Sequence, residues 1–295
     1  MEAASLPGRV ARGPDGHTAP PANVETWSGK DRWDENFPVG SWLIRRNLRP
    51  HIHAFYAFAR NADDIADSRE LPSAEKVARL DLMEDVLLGR RETVSPSALR
   101  LRVSLAETGV TPQHSLDLLV AFRRDATKLR YANWQELHDY CRYSAMPVGR
   151  HVLDLHRENR STWETSDALC VSLQILNHLQ DCAKDLAALD RCYLPLDLLA
   201  RQGEQVEVLR GKHETPGLRR VFNALLARCD ELNVAAAGLP RDTNSRGLRL
   251  ETAVIVGLAN RLARRLRRGD PLAMRVRLTK SDVAVSVLAA LRYIS

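Results

Sequence analysis

No stretch of this chain stays apolar for long enough to span a bilayer: the longest strongly apolar runs, 253–259 and 283–291, fall well short of the ~18 residues required. The chain is therefore expected to be soluble, or to touch a membrane from one side only. Cysteine is scarce. The five present (Cys141, Cys170, Cys182, Cys192, Cys229) are odd in number and form no C-x-x-C, which argues against a disulfide framework or zinc site and for a reduced, cytoplasmic setting. Neither H-E-x-x-H nor a G-x-G-x-x-G after a strand occurs, so neither a zinc-protease site nor a nucleotide cofactor is expected. The first 25 residues hold Pro7, Gly8, Gly13, Pro14, Gly16, Pro20 and Pro21 among charges, without the apolar centre of a signal peptide. A mobile tail is expected over 1–25.

The rest is ordinary for a folded body, with 44% apolar and 27% charged residues among 295. Lys and Arg exceed Asp and Glu by 43 to 37, an excess that fits an anionic substrate, an anionic membrane or nucleic acid without choosing among them. With no zinc-finger spacing and no aromatics interleaved with basic residues, nucleic acid is not an expected partner.

Beyond the tail, helix punctuation recurs and strand alternation does not. Ser73 precedes an apolar stripe (Val77, Leu80, Leu87, Leu88) that stops at Gly89. Thr111-Pro112 and Thr215-Pro216 place a hydroxyl before a proline. Asn133 with Glu136 has the spacing of a capping box, and Ser281 opens a last helix. These signals predict an all-α body of eight to ten helices forming one domain over 26–295.

Two of the predicted helices carry a stripe of acid. Tyr56, Arg60, Asp63 and Asp67 are spaced 4, 3 and 4 and share one helix face, with Asp64 beside them. Gln174, Asn177, Asp181 and Asp185, spaced 3, 4 and 4, repeat the device. Either stripe alone reads more simply as a solvated face. Carboxylates one turn apart repel, however, so a helix gains nothing from them without a cation between them. Magnesium suits the spacing, because it takes one or two carboxylates and completes its shell with water and substrate phosphate. A diphosphate so bound would be an ionising leaving group, and the cation left behind would need an apolar lining. Phe55 and Phe58 serve either that lining or the core. Pro147, within 140–150, is expected to kink a helix near Tyr143, with Ala145 and Gly149 leaving room beside it for a hydrocarbon tail.

At these residues the chain resembles the squalene and phytoene synthase family, over about 35–195. Arg60, Asp63, Asp64 and Asp67 match its first aspartate motif, Gln174, Asn177, Asp181 and Asp185 its second, and Tyr193-Leu194-Pro195 the tyrosine segment that follows. Residues 35–41, 144–150 and 177–181 look most like the bacterial hydroxysqualene synthases of hopanoid biosynthesis. The resemblance implies an isoprenoid-synthase helical bundle with a central cavity, Mg2+ as cofactor and a prenyl diphosphate as substrate. Asp63, Asp67, Asp181 and Asp185 would hold the metal, assisted by Asn177, and Arg60 would hold diphosphate. Tyr56 and Tyr193 would face the cation or leaving group. Phe37, Ser41, Tyr140, Ala145, Gly149 and Gln174 would contact substrate. Asp64 and Asp125 are supporting groups or surface charges.

Many relatives that condense two diphosphates carry arginine before the first acid of the second motif and an acid before its last; here these are Gln180 and Lys184. That favours a half-reaction from one bound presqualene diphosphate, with water capture, over a squalene, dehydrosqualene or phytoene synthase. A non-catalytic helical scaffold is the other alternative, disfavoured by the apolar flanks Ala59, Ala62, Ile65 and Ala66. The arginine-rich stretch 241–277 reads as a solvated helix end or as contact with an anionic membrane surface.

Overall fold

The computed structural model describes residues 23–25 and 43–294, and within them the all-α expectation holds. Twelve α-helices run in order among the described residues: α1 (Arg49–Asp67), α2 (Ser73–Leu87), α3 (Pro96–Thr108), α4 (Gln113–Thr127), α5 (Trp134–Ser144), α6 (Met146–Leu155), α7 (Trp163–Leu189), α8 (Leu196–Arg201), α9 (Pro216–Ala236), α10 (Leu239–Asp242), α11 (Arg246–Arg268) and α12 (Lys280–Ala290). The predicted eight to ten becomes twelve because α8 and α10 are single turns. The expected tail lies outside the described residues except for its last three, which are packed. Val24 is buried and donates its N–H to Val94 O, while the Glu25 carboxylate accepts from Ser95 Oγ and Ser97 N at the start of α3.

Apolar spacing builds two cores. One is walled by α1 to α4, with Ile52, Phe55, Phe58, Ala62 and Ile65 supplying the α1 face. The other gathers α5, α6, α7, α9 and α11 around α7, whose 27 residues reach about 40 Å. Phe55 and Phe58 thus resolve to core packing.

Several local expectations shift. Pro147 does not kink one helix: the chain breaks at Ala145 (φ −122°, ψ −52°), and the proline sits in the first turn of α6, where its missing N–H costs nothing. Gly149 leaves no room for a tail, because a Cβ there would lie 2.3 Å from Ser166 Oγ and 2.7 Å from Cys170 Sγ of α7. Its small size is used by the close approach of α6 to α7. The last helix is capped by Thr279 with Asp282, not by Ser281, and Pro72 rather than Ser73 precedes α2. Thr215 and Asn133 cap as expected.

Candidate active site

Both acid stripes lie toward the C-terminal ends of their helices, where carbonyl dipoles already disfavour negative charge and where neither helix has a basic residue in its own last turn. Compensation comes from elsewhere. At the end of α1, Lys76 Nζ and Arg191 Nη2 both donate to Ala66 O at 2.9 Å, and Arg191 Nη1 reaches Asp67 Oδ1 at 2.6 Å. One turn back, Arg60 Nη2 lies 2.9 Å from Asp64 and Nη1 3.3 Å from Asp63.

Arg191 is placed by the exit of α7. Asp190 takes a left-handed conformation (φ 52°), one that a short polar side chain tolerates, and the chain turns back so that Cys192 N donates to Leu129 O and Leu196 N to Tyr131 O. The turn leaves the Arg191 side chain about 6% exposed, with its Nε donating to Asp125 O. Burial works against its charge, yet Tyr193, Asp125 and Asp67 around it more than offset this and raise its pKa.

Behind Arg191 lies a sealed polar cage. Asp125, fully in the interior, accepts from Tyr140 Oη at 2.8 Å and Tyr193 Oη at 2.9 Å. His178 stacks on Tyr193 with ring centroids 3.6 Å apart, and Tyr131 stacks on Tyr193 at 5.7 Å and lies tilted against Tyr140 at 5.2 Å. Burial pushes the Asp125 carboxyl up to about 6, against the pull of Arg191 and the two phenols. Burial, with Arg191 adding to it, lowers His178 to about 3, so the imidazole is neutral. A neutral acceptor nitrogen is what the Gln174 amide, 3.2 Å from Nε2, requires. The surface-charge alternative for Asp125 is therefore overturned: it organises both tyrosines from inside.

The α7 stripe is half-buried, and its acids feel those of α1. Asp185 is pushed up to about 7, first by burial and then by the negative charge of Asp181 and Asp67. Asp181 is gripped from a distance: Arg275, in the segment between α11 and α12, sets Nε 2.8 Å from Oδ1 and Nη2 2.9 Å from Oδ2. The same segment is tied down by Gln180, buried, whose Nε2 donates to Val276 O at 2.6 Å. Gln180 thus anchors the segment from which Arg275 brings a cation to Asp181, 94 residues away in sequence.

Asp185 is thus within electrostatic reach of both Asp181 and Asp67, with Asp63 one turn from Asp67 on the same face. Asn177 and Tyr56 are half-buried on their stripes, and Ala145 lies in the core beside Tyr140. Phe37 and Ser41 lie outside the described residues. No three His, Cys, Asp or Glu among the described residues form a ligand cage by themselves. The donor set nevertheless suits magnesium: hard carboxylates, mutually repelling, at the negative ends of two dipoles and still short of ligands that a phosphate would supply. Sequence reasoning missed Arg191 and Arg275. Arg191 left one signal, a lone cation entering the apolar run 192–196; Arg275 left none.

The profile of the squalene/phytoene synthase family matches residues 31–282. The chain belongs to that family. A hydroxysqualene synthase of Rhodopseudomonas palustris is 48% identical over 267 residues, 90% of this chain and 91% of its own length. One from Sinorhizobium fredii is 44% identical, with 88% of each chain covered. Among solved structures, a squalene synthase from Alicyclobacillus acidocaldarius superposes with a TM-score of 0.69 at 31% identity, over 78% of this chain and 87% of its own. Family membership makes the protein a prenyl diphosphate-utilising enzyme on an all-helical fold.

Proposed function

We propose that the protein is a hydroxysqualene synthase: the C–O bond of presqualene diphosphate breaks, water forms a new C–O bond to the rearranged cation, and the released proton leaves with diphosphate. The observation that carries this reading is a pair of acid-bearing helix ends, Asp67 of α1 acting on Asp185 of α7, in a chain so similar, over nearly its whole length, to relatives bearing that name.

Mg2+ is the proposed cofactor, held by Asp63, Asp67, Asp181 and Asp185 with the Asn177 side-chain oxygen; bound there, it supplies positive charge to the departing diphosphate. Arg191 fixes the rotamer of Asp67 and, through the Asp125 backbone, the height of the tyrosine cage. Arg60, now paired with Asp63 and Asp64, is the residue proposed to hold diphosphate oxygens at the α1 stripe. Tyr140 and Tyr193, with hydroxyls turned to Asp125 and rings packed among His178 and Tyr131, act as the wall behind the acid stripes and leave no free ring face to a hydrocarbon cation. A cytoplasmic location with contact at a membrane surface is proposed to accompany a substrate and product that dissolve in lipid.

The test supplies presqualene diphosphate with magnesium and follows diphosphate release and the product. Hydroxysqualene is expected, lost with EDTA, and farnesyl diphosphate alone should give little C30 product. Efficient conversion of farnesyl diphosphate alone would replace this reading with a condensing synthase.

A further inference from the structure

Helix α12 is built inside out. Its buried positions are Asp282, Ser286 and Ala290, one turn apart, and of these the two polar ones are engaged by α11: Arg265 Nε donates to Asp282 at 2.6 Å and Arg261 Nε to Ser286 Oγ at 3.1 Å. Gly257 of α11 lets Ser286 approach, since a Cβ there would lie 3.0 Å from its hydroxyl. The helix face is therefore specified by these hydrogen bonds together with Ala290, which packs on Ala253, Val254 and Leu258 of α11. The opposite face turns Val283, Val285, Val287 and Leu288 outward, continued by Leu291 and Ile294, with exposures from 44% to 66%. A helix bathed in water has the reverse pattern, so the outer medium is expected to be apolar.

The surroundings identify that medium. Just past the helix, Arg241, Arg249, Arg292 and Tyr293 line a cavity of about 320 Å³. None of the three arginines pairs with an acid among the described residues; Arg249 Nε donates to Thr243 O and Arg292 to the Tyr293 hydroxyl. Residues 241–294 hold twelve Lys and Arg against four acids, more than the whole excess of the chain. Two copies meeting on α12 would press these unpaired cations together, whereas acidic headgroups would neutralise them. No described helix is long and apolar enough to cross a membrane, and α12 has eleven residues. We infer that α12 lies in the plane of an anionic bilayer, its Val283–Ile294 face among the acyl chains and the Arg241/Arg249/Arg292 cavity on acidic headgroups. The inference rests on the proposed function only in that the substrate and product would themselves be solutes of that bilayer.

The test is co-sedimentation of the full chain with phosphatidylcholine vesicles, alone and with about 30 mol% phosphatidylglycerol. Wild type should bind the anionic vesicles and release in high salt. Val285→Glu with Leu288→Glu, at 45% and 66% exposed both outside the core and so compatible with folding, should cut binding at least about tenfold. Arg241→Gln with Arg292→Gln should cut it by on the order of five-fold per arginine on anionic vesicles only. Wild type that binds neither vesicle, a glutamate variant that binds like wild type, or a wild-type dimer that the glutamates split would each overturn the assignment. Turnover of presqualene diphosphate in detergent micelles separates the two readings: turnover without vesicle binding removes the membrane face, and vesicle binding without turnover removes the proposed reaction.

Discussion

The two acid stripes solve the same electrostatic problem by different means. In α1 the answer is mostly local: Arg60 sits one turn before Asp63 and Asp64, and Arg191 and Lys76 close the helix end around Asp67. In α7 the local cation is too weak: Lys184, with Arg191, pulls on Asp185, yet burial and its acidic neighbours still raise its carboxyl to about 7. Among the described residues, Asp181 is held by Arg275 from the far end of the chain. The α1 side is thus built into the fold, while the α7 side is left under strain that a mobile cation can relieve.

The comparison breaks most severely if one stripe proves dispensable. Asp181→Ala and Asp67→Ala are each expected to lower kcat on presqualene diphosphate by about 10²–10³, since each removes a carboxylate proposed to hold the Mg2+ that would neutralise the leaving group. Circular dichroism should show both folded, and a fully active Asp67→Ala would confine the metal to α7. Arg191→Gln tests how structural the α1 side is. It strips Asp67 and two carbonyls of a buried partner, at a cost of about 3 kcal/mol, which should appear as a Tm lower by roughly 6–9 °C.

Asp185→Asn sharpens the contrast from the other side. Removing the buried charge that Asp181 and Asp67 both repel should raise Tm without magnesium, by about 1–2 kcal/mol of stability, and shrink the Tm rise that magnesium gives wild type. A lower Tm would mean that Asp185 is satisfied as it stands. The smallest effect belongs to Arg275→Gln. As a pair about one-third exposed on the arginine side, it should contribute under about 1 kcal/mol, so Tm should hardly move. The magnesium needed for half-maximal diphosphate release should fall a few-fold once Asp181 is no longer gripped; an unchanged requirement would show that Arg275 leaves before metal arrives.

The helical class, the core face of α1 and both stripes were readable in the sequence because each depends on periodicity within one helix. Asp125 was half readable: its position could be named, but its role depends on two phenols that arrive from α5 and from beyond α7. Gly149 misled because a missing side chain reads the same whether it clears space for a ligand or for another helix; only Ser166 and Cys170 decide it. Pro147 misled similarly, since a proline two residues into a new helix and one inside a bent helix share a local sequence. Arg191 and Arg275 act across 124 and 94 residues, where no spacing rule applies.

Arg191 also joins the two cores. Its guanidinium is seated on carbonyls from α1 and α4 while its backbone continues α7, so neither the α1–α4 half nor the α7-centred half can open without stranding a charge in a dry interface. A bundle with two cores would ordinarily be free to exchange its amides in two stages. Here the halves are bound to a common fate, and hydrogen exchange in α1 and α7 should slow and quicken together.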